Sequence, residues 1–128
     1  MSSFTTPLLL EYLDGKNWKL HQAFEYHIGQ YPAPIDQIVT VPVGFITNFV
    51  SIPRPLWAIL PPTGKYGKAA VIHDYLYAIH CINGRHISRK EADLIFLEAM
   101  KVLGVPAWKR RAMYRAVRIF GTRPYLNY

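Results

Sequence analysis

Between Val71 and Tyr77 the chain reads Val-Ile-His-Asp-Tyr-Leu-Tyr, which places a histidine, a carboxylate and two phenols within barely two helical turns. At about 100° per residue, Ala69, Ile72, His73, Leu76 and His80 share one arc, with Tyr77 at its edge, so His73 points toward the core and Asp74 falls on the flank. A second stretch, Ser88 to Leu103, carries Asp93 on the shoulder of an apolar stripe formed by Ala92, Ile95, Phe96, Ala99 and Leu103. Packing the two stripes together brings Asp93 toward His73. A histidine with one ring nitrogen held by a buried carboxylate has its tautomer set, and its other nitrogen can take a proton from water or a nucleophile. In that chemistry His73 is the base, Asp93 orients it, and Tyr77, one turn on, donates its hydroxyl to Asp93 and keeps it ionised. Asp74 offers a hard oxygen to a divalent cation such as calcium, which would polarise a carbonyl or phosphoryl oxygen. The same residues also have a structural reading, a polar clasp between helices in which the tyrosines simply pack.

These residues need helices to position them. The first is expected from about Tyr66 to Cys81, ending near the turn pair Asn83-Gly84. The second opens with a capping box, Ser88 as N-cap and Glu91 three residues later, and closes at Gly104. Pro106 starts a last helix whose apolar arc is Trp108, Ala112, Met113, Ala116, Val117 and Phe120, with Arg110, Arg111, Arg115 and Arg118 facing outward.

Upstream, Leu8 to Leu13 reads as a strand, Asp14-Gly15 as a tight hairpin turn, and Lys16 to Ile28 as the return strand. Trp18, Leu20, Phe24, Tyr26 and Ile28 alternate against Lys19, His21, Glu25 and His27, so both histidines are expected on the wet face. Gln30 to Asp36, with Pro32 and Pro34, is a loop. Ile38 to Phe45 alternates Val39, Val41, Val43 and Phe45 as a third strand, Pro42 suiting an edge and Gly44 a bend. Thr47 to Arg54 interleaves polar side chains with apolar anchors. A short helical turn through Pro55, Leu56 and Trp57, capped by Ser51, follows, and Pro61-Pro62-Thr63-Gly64 breaks the chain. The expected fold class is α+β: a small N-terminal antiparallel sheet of about three strands, then three packed helices, in a single domain over residues 1–128.

Composition supports one globular domain. The 128 residues are 51% hydrophobic and 14% aromatic, enough for a real core and too rich in apolar groups for disorder. No apolar run approaches the roughly 18 residues that span a bilayer, and the N-terminus lacks the pattern of a signal peptide, so synthesis in a cytoplasm is expected. The single cysteine, Cys81, excludes an internal disulfide framework and reads as a buried small hydrophobe. The formal charge is +7, and from Lys101 to Arg123 there are seven Lys or Arg and no acid. That basic C-terminal helix suits anionic lipid, an acidic protein or nucleic acid, and no motif for sequence-specific nucleic-acid recognition accompanies it.

Three runs, Val41-Pro-Val-Gly-Phe-Ile-Thr-Asn-Phe-Val-Ser-Ile-Pro-Arg54, Ala70-Val-Ile-His-Asp-Tyr-Leu-Tyr77 and Ser88-Arg-Lys-Glu-Ala-Asp-Leu-Ile-Phe-Leu-Glu-Ala-Met100, together resemble DUF1353, a family of small phage and prophage proteins. The resemblance implies a viral or prophage source and carries no activity with it. Family members usually have Asp where this chain has Asn48. More distantly, His73-Asp74-x-x-Tyr77 followed by Ala92-Asp93-x-x-Phe96 is similar to the paired catalytic helices of phospholipase A2 enzymes. That likeness implies His73 as general base, Asp74 as calcium ligand, and Tyr77 and Asp93 as hydrogen-bonded support. The glycine-rich calcium loop of those enzymes has no counterpart in Pro61-Pro-Thr-Gly-Lys-Tyr-Gly67. A metal-dependent HD phosphohydrolase fits less well, because its further histidine would have to be His21 or His27, both on a strand.

The resulting expectation is a phage or prophage hydrolase with a phospholipase A2-like His-Asp site, acting on lipid or another ester at the host envelope. Its rival is a non-enzymatic virion component, such as a tail or tail-tip accessory protein, in which the cluster is structural and the basic helix meets other phage structural proteins.

Overall fold

Alternation of buried and exposed side chains builds the first half of the molecule into two short antiparallel sheets, seen in a computed structural model that describes residues 2–14, 17–49, 55 and 67–127. Strands β1 (Ser3–Phe4), β4 (Phe24–His27) and β5 (Ile38–Val41) form one sheet in the order β1-β4-β5. Strands β2 (Leu10–Asp14), β3 (Asn17–Leu20) and β6 (Ile46–Thr47) form the other, in the order β2-β3-β6.

The single return strand expected over Lys16 to Ile28 is therefore two strands, and the strand expected over Ile38 to Phe45 ends at Val41, with β6 starting only at Ile46. Both break at the same level for one local reason. Pro42 has no N–H for a ladder, Gly44 takes a left-handed φ of 92°, and the Phe45 N–H turns back to the Pro42 carbonyl at 3.2 Å. Leu20 follows the bend, donating to the Phe45 carbonyl at 2.9 Å and accepting from Gly44 at 2.8 Å, before the chain turns at His21 and Gln22. Leu20, Phe24, Tyr26, Val39 and Val41 still share the core, as alternation requires, while Val43 is exposed on the turn. His27 is not on the wet face. It is buried, accepting from the Ala33 N–H on Nδ1 and donating through Nε2 to Glu25.

The second half is helical: α1 (Gly67–Ile79), α2 (Arg89–Val102), α3 (Ala107–Phe120) and the short α4 (Thr122–Asn127). Helix α1 stops two residues earlier than expected, because His80 adopts a φ of 63° and Cys81–Ile82 pairs with Arg85–His86 as a hairpin, β7 and β8. Asn83 and Gly84, read above as a helix stop, form its turn with positive φ at both positions. Cys81 is half-buried. Ser88 caps α2 by accepting from the Glu91 N–H at 3.1 Å, and Gly104, at φ 85°, ends it, with Val105 donating back to the Met100 carbonyl.

Buried residues cover most of α1's circumference, from Ala69 and Ile72 round to Val71 and Asp74, so this helix lies between the sheets and the other helices. Helix α3 departs most from expectation. Its apolar arc, drawn from Trp108 to Val117, spans about half the circumference, and packing takes only one edge of it, Met113 and Val117. Trp108 and Phe120 stay 64% and 63% exposed, while Arg118 turns inward. The expected turn at Gly15, the helical turn through Leu56 and Trp57 with its Ser51 cap, and the break at Pro61 lie outside the described residues.

The α3–α4 junction at Gly121 is tight: a Cβ there would meet the Val117 carbonyl, the Tyr77 hydroxyl and the Arg89 guanidinium. Gly121→Ala should therefore cost about 1–3 kcal/mol through overpacking, read as a lower thermal midpoint. An unchanged midpoint would show that α4 shifts freely.

Candidate active site

Helices α1 and α2 face each other along the stripes that their periodicity marks, and at the centre His73 Nε2 donates to Asp93 Oδ1 at 2.7 Å. The Tyr77 hydroxyl donates to the same oxygen at 2.5 Å. Tyr77 lies one turn beyond His73 on α1, its ring 4.2 Å from the imidazole, and Phe96, one turn beyond Asp93 on α2, stacks 4.5 Å from the imidazole on another side. All four side chains are fully buried. The other carboxylate oxygen takes Arg118 of α3 at 2.8 Å and, more distantly, Arg89 of α2 at 3.5 Å.

Arg89 also reaches across to α3, donating to the Val117 and Arg118 carbonyls at 3.0 and 3.3 Å. Those carbonyls belong to the last turn of α3, where a helix has acceptors to spare and favours positive charge. One carboxylate thus gathers donors from three helices. Neither arginine featured in the sequence reading of the site. Arg89 had a signal, its i,i+4 spacing to Asp93. Arg118 had none, because on α3 alone it sits among outward-facing arginines.

Burial opposes ionisation of Asp93, yet the hydrogen bonds from His73, Tyr77 and Arg118 outweigh it and hold its carboxyl below the usual carboxylate range. Burial first, then the neighbouring carboxylate, pushes the Tyr77 phenol well above its ordinary value, so Tyr77 serves as a donor across the whole working pH range. With Asp93 ionised, His73 must carry its hydrogen on Nε2, which makes Nδ1 the nitrogen able to accept a proton.

Asp74 is not on an open flank. It is fully buried about 100° round α1 from His73, where it accepts the Thr47 hydroxyl of β6, and the same hydroxyl oxygen accepts the Phe49 N–H at 3.2 Å. Calcium takes six to eight oxygens. Among the described residues the side-chain donors at Asp74 are one carboxylate and one hydroxyl already bonded to each other, and no trio of His, Cys, Asp or Glu is placed to hold a metal. That set does not by itself make a calcium shell.

A further carboxylate cluster, half-buried, has no counterpart in the sequence reading. Glu98 of α2 accepts from Tyr26 of β4 at 2.7 Å and from Ser2 at 2.5 Å, and the Ser2 oxygen accepts the Gly29 N–H. It ties α2 to the β1-β4-β5 sheet as Asp74 and Thr47 tie α1 to the other.

The depressed ionisation of Asp93 sets a pH dependence. A carboxyl bound more weakly by protons in the folded state adds stability above its unfolded value, about 3.9, and loses it as pH falls through the lower folded value. The stability advantage of wild type over Asp93→Asn should hold at neutral pH and shrink below about pH 4; an advantage that grows on acidification would refute the ionised clasp. His73→Ala should cost about 1–3 kcal/mol by removing one donor from a buried carboxylate, measured by denaturant unfolding at pH 7.

Comparison with known proteins places this geometry in a family. Residues 18–117, which include His73, Tyr77, Arg89 and Asp93 and stop one residue short of Arg118, match the family described as "Protein of unknown function (DUF1353)". A segment of 83 residues is 39% identical to "Uncharacterized protein y4jT" of Sinorhizobium fredii (strain NBRC 101917 / NGR234), covering 63% of this chain and 23% of that protein. The chain thus spans under a quarter of that relative's length. No solved structure matches. With the match running from β3 through most of α3, and so across the elements that carry His73, Tyr77, Arg89 and Asp93, the chain belongs to the DUF1353 family.

Proposed function

We propose that the protein is a phage or prophage hydrolase that cleaves lipid or another ester at the host envelope, with His73 as general base, Asp93 as its orienting carboxylate and Tyr77 as the support of Asp93. The observation that carries this reading is the shared Oδ1 of Asp93, which takes both the imidazole N–H at 2.7 Å and the phenol at 2.5 Å. It is the hydrogen-bond pattern that the likeness of His73-Asp74-x-x-Tyr77 to phospholipase A2 implies.

In the proposed step Nδ1 of His73 takes a proton from water while the water oxygen attacks the ester carbonyl carbon. Collapse of the tetrahedral intermediate breaks the acyl carbon–oxygen bond, and the proton passes from Nδ1 to the departing alkoxide, giving an acid and an alcohol. Asp93 stabilises the imidazolium formed in between. Because His73 is fully enclosed, turnover requires the groups over it to move aside. The phospholipase likeness brings calcium into the proposal through Asp74, but the described side-chain donors there do not by themselves make its shell, so no step is routed through it and calcium is an arm of the assay.

The second reading is a non-enzymatic virion component, a tail or tail-tip accessory protein assembled with other phage structural proteins. Complete burial of the cluster and the two arginines on Asp93 favour it, since a clasp needs both and a base needs access.

The test is release of fatty acid from phospholipid vesicles, and of alcohol from simple soluble esters, in calcium and in EDTA. His73→Gln and Asp93→Asn should each lower turnover by about 10²–10⁴-fold while circular dichroism stays that of the folded chain. Wild-type protein inert toward both substrate types would set the hydrolase aside in favour of the virion component.

A further inference from the structure

Helix α3 turns toward solvent the residues a core helix would bury. Trp108 and Ile119 are 64% and 69% exposed, and at about 100° per residue they fall with Ala112 inside an arc of about 40°. Arg115 and Arg111, both exposed, line one border of that arc, and Lys109, whose ammonium lies 5.6 Å from the Trp108 ring centre, stands on the other. Phe120, the last residue of α3, and Leu126 of α4 are exposed as well. No acidic residue occurs between Lys101 and Arg123.

We propose that the outer face of α3 docks on an anionic lipid surface, lying in the plane of the interface with Trp108 and Ile119 among the acyl chains and Arg111 and Arg115 on the headgroups. An apolar stripe bordered by cations, with an indole at one end, is what such a surface selects. A second copy of the chain fits poorly, because a two-fold pairing through this face would oppose arginines with no acid to meet them. An acidic protein could match the charge, but the neighbouring groove favours an amphiphile. Between α2 and α3 lies a cavity of about 360 Å³ lined by Leu94, Leu97, Glu98, Lys101, Arg110 and Arg111. Leucines with cations beside them suit an anionic headgroup above apolar chain, and Arg111 belongs to both groove and stripe.

The inference rests on the envelope reading for where the protein acts, but binding and turnover are measured separately, so either can fail alone. The purified 128-residue chain is floated with vesicles of phosphatidylglycerol and phosphatidylcholine, and with phosphatidylcholine alone. It should float with the first and not the second, and lose binding as salt rises. Arg111→Glu with Arg115→Glu should weaken binding at least about tenfold, and Trp108→Ser with Ile119→Ser should weaken it as well. All four positions are exposed, so the variants should keep the wild-type circular dichroism. Wild type that ignores anionic vesicles overturns the proposal, and so does binding that survives loss of Trp108 and Ile119, which would be charge alone. Capture by polyglutamate without vesicle binding, or dimerisation abolished by Trp108→Ser, would assign the face to a protein partner instead.

Discussion

A carboxylate fully removed from water must be met by donors, because the desolvation it suffers is worth several kcal/mol and nothing apolar offsets it. At Asp93 those donors come from α1 through His73 and Tyr77, from α2 itself through Arg89, and from α3 through Arg118. Their directions leave little latitude, since two arrive on Oδ1 and two on Oδ2. The relative placement of three helices is thereby coupled to one ionised group, and Arg89 reinforces the coupling by taking up the last carbonyls of α3. Apolar packing would tolerate a slide of one helix along another. The carboxylate does not.

Neighbouring residues on α1 face opposite partners. His73 looks to α2 and Asp74 to β6, so the helix is bonded to the helical layer on one side and to the β2-β3-β6 sheet on the other. Glu98 repeats the device between α2 and the β1-β4-β5 sheet. Two buried carboxylates and one half-buried one thus mark three junctions, each with a hydroxyl or phenol among its donors. Among the described residues no buried side-chain nitrogen or oxygen lacks a partner, as expected where an unmet polar group costs more than a met one returns.

This economy bears on the proposed chemistry. A base oriented by Asp93 gains a set tautomer and a counter-charge for its imidazolium, and both come from the arrangement that holds the helices together. Function and stability then draw on the same atoms, so removing Asp93 would disturb both, and substitutions that keep shape while changing charge or acceptor capacity are the ones that separate them.

Much of the central pairing was legible in the sequence. His73, Tyr77, Asp93 and Phe96 sit at helical spacing beside apolar stripes, and a helix repeats its face every three to four residues whatever surrounds it. The Ser88 cap, the stop at Gly104 and the alternation of Leu20, Phe24, Tyr26, Val39 and Val41 are local in the same sense. Other features depended on partners far along the chain. The long return strand became two and its neighbour stopped at Val41, because Pro42 and Gly44 bend the chain there and Leu20 bends with it, and Asn83-Gly84 closed a hairpin rather than a helix. His27 was buried by Ala33 and Glu25, Asp74 by Thr47, and Arg118 was drawn inward by a carboxylate 25 positions away in sequence. On α3 the periodicity offered an arc too wide to bury whole, and the choice of its Met113–Val117 edge over Trp108 lay with the shape of α2. By itself the sequence determined which residues share a face; tertiary structure alone decided which face met what, because a charge or a half-apolar helix takes its orientation from partners that only folding brings within reach.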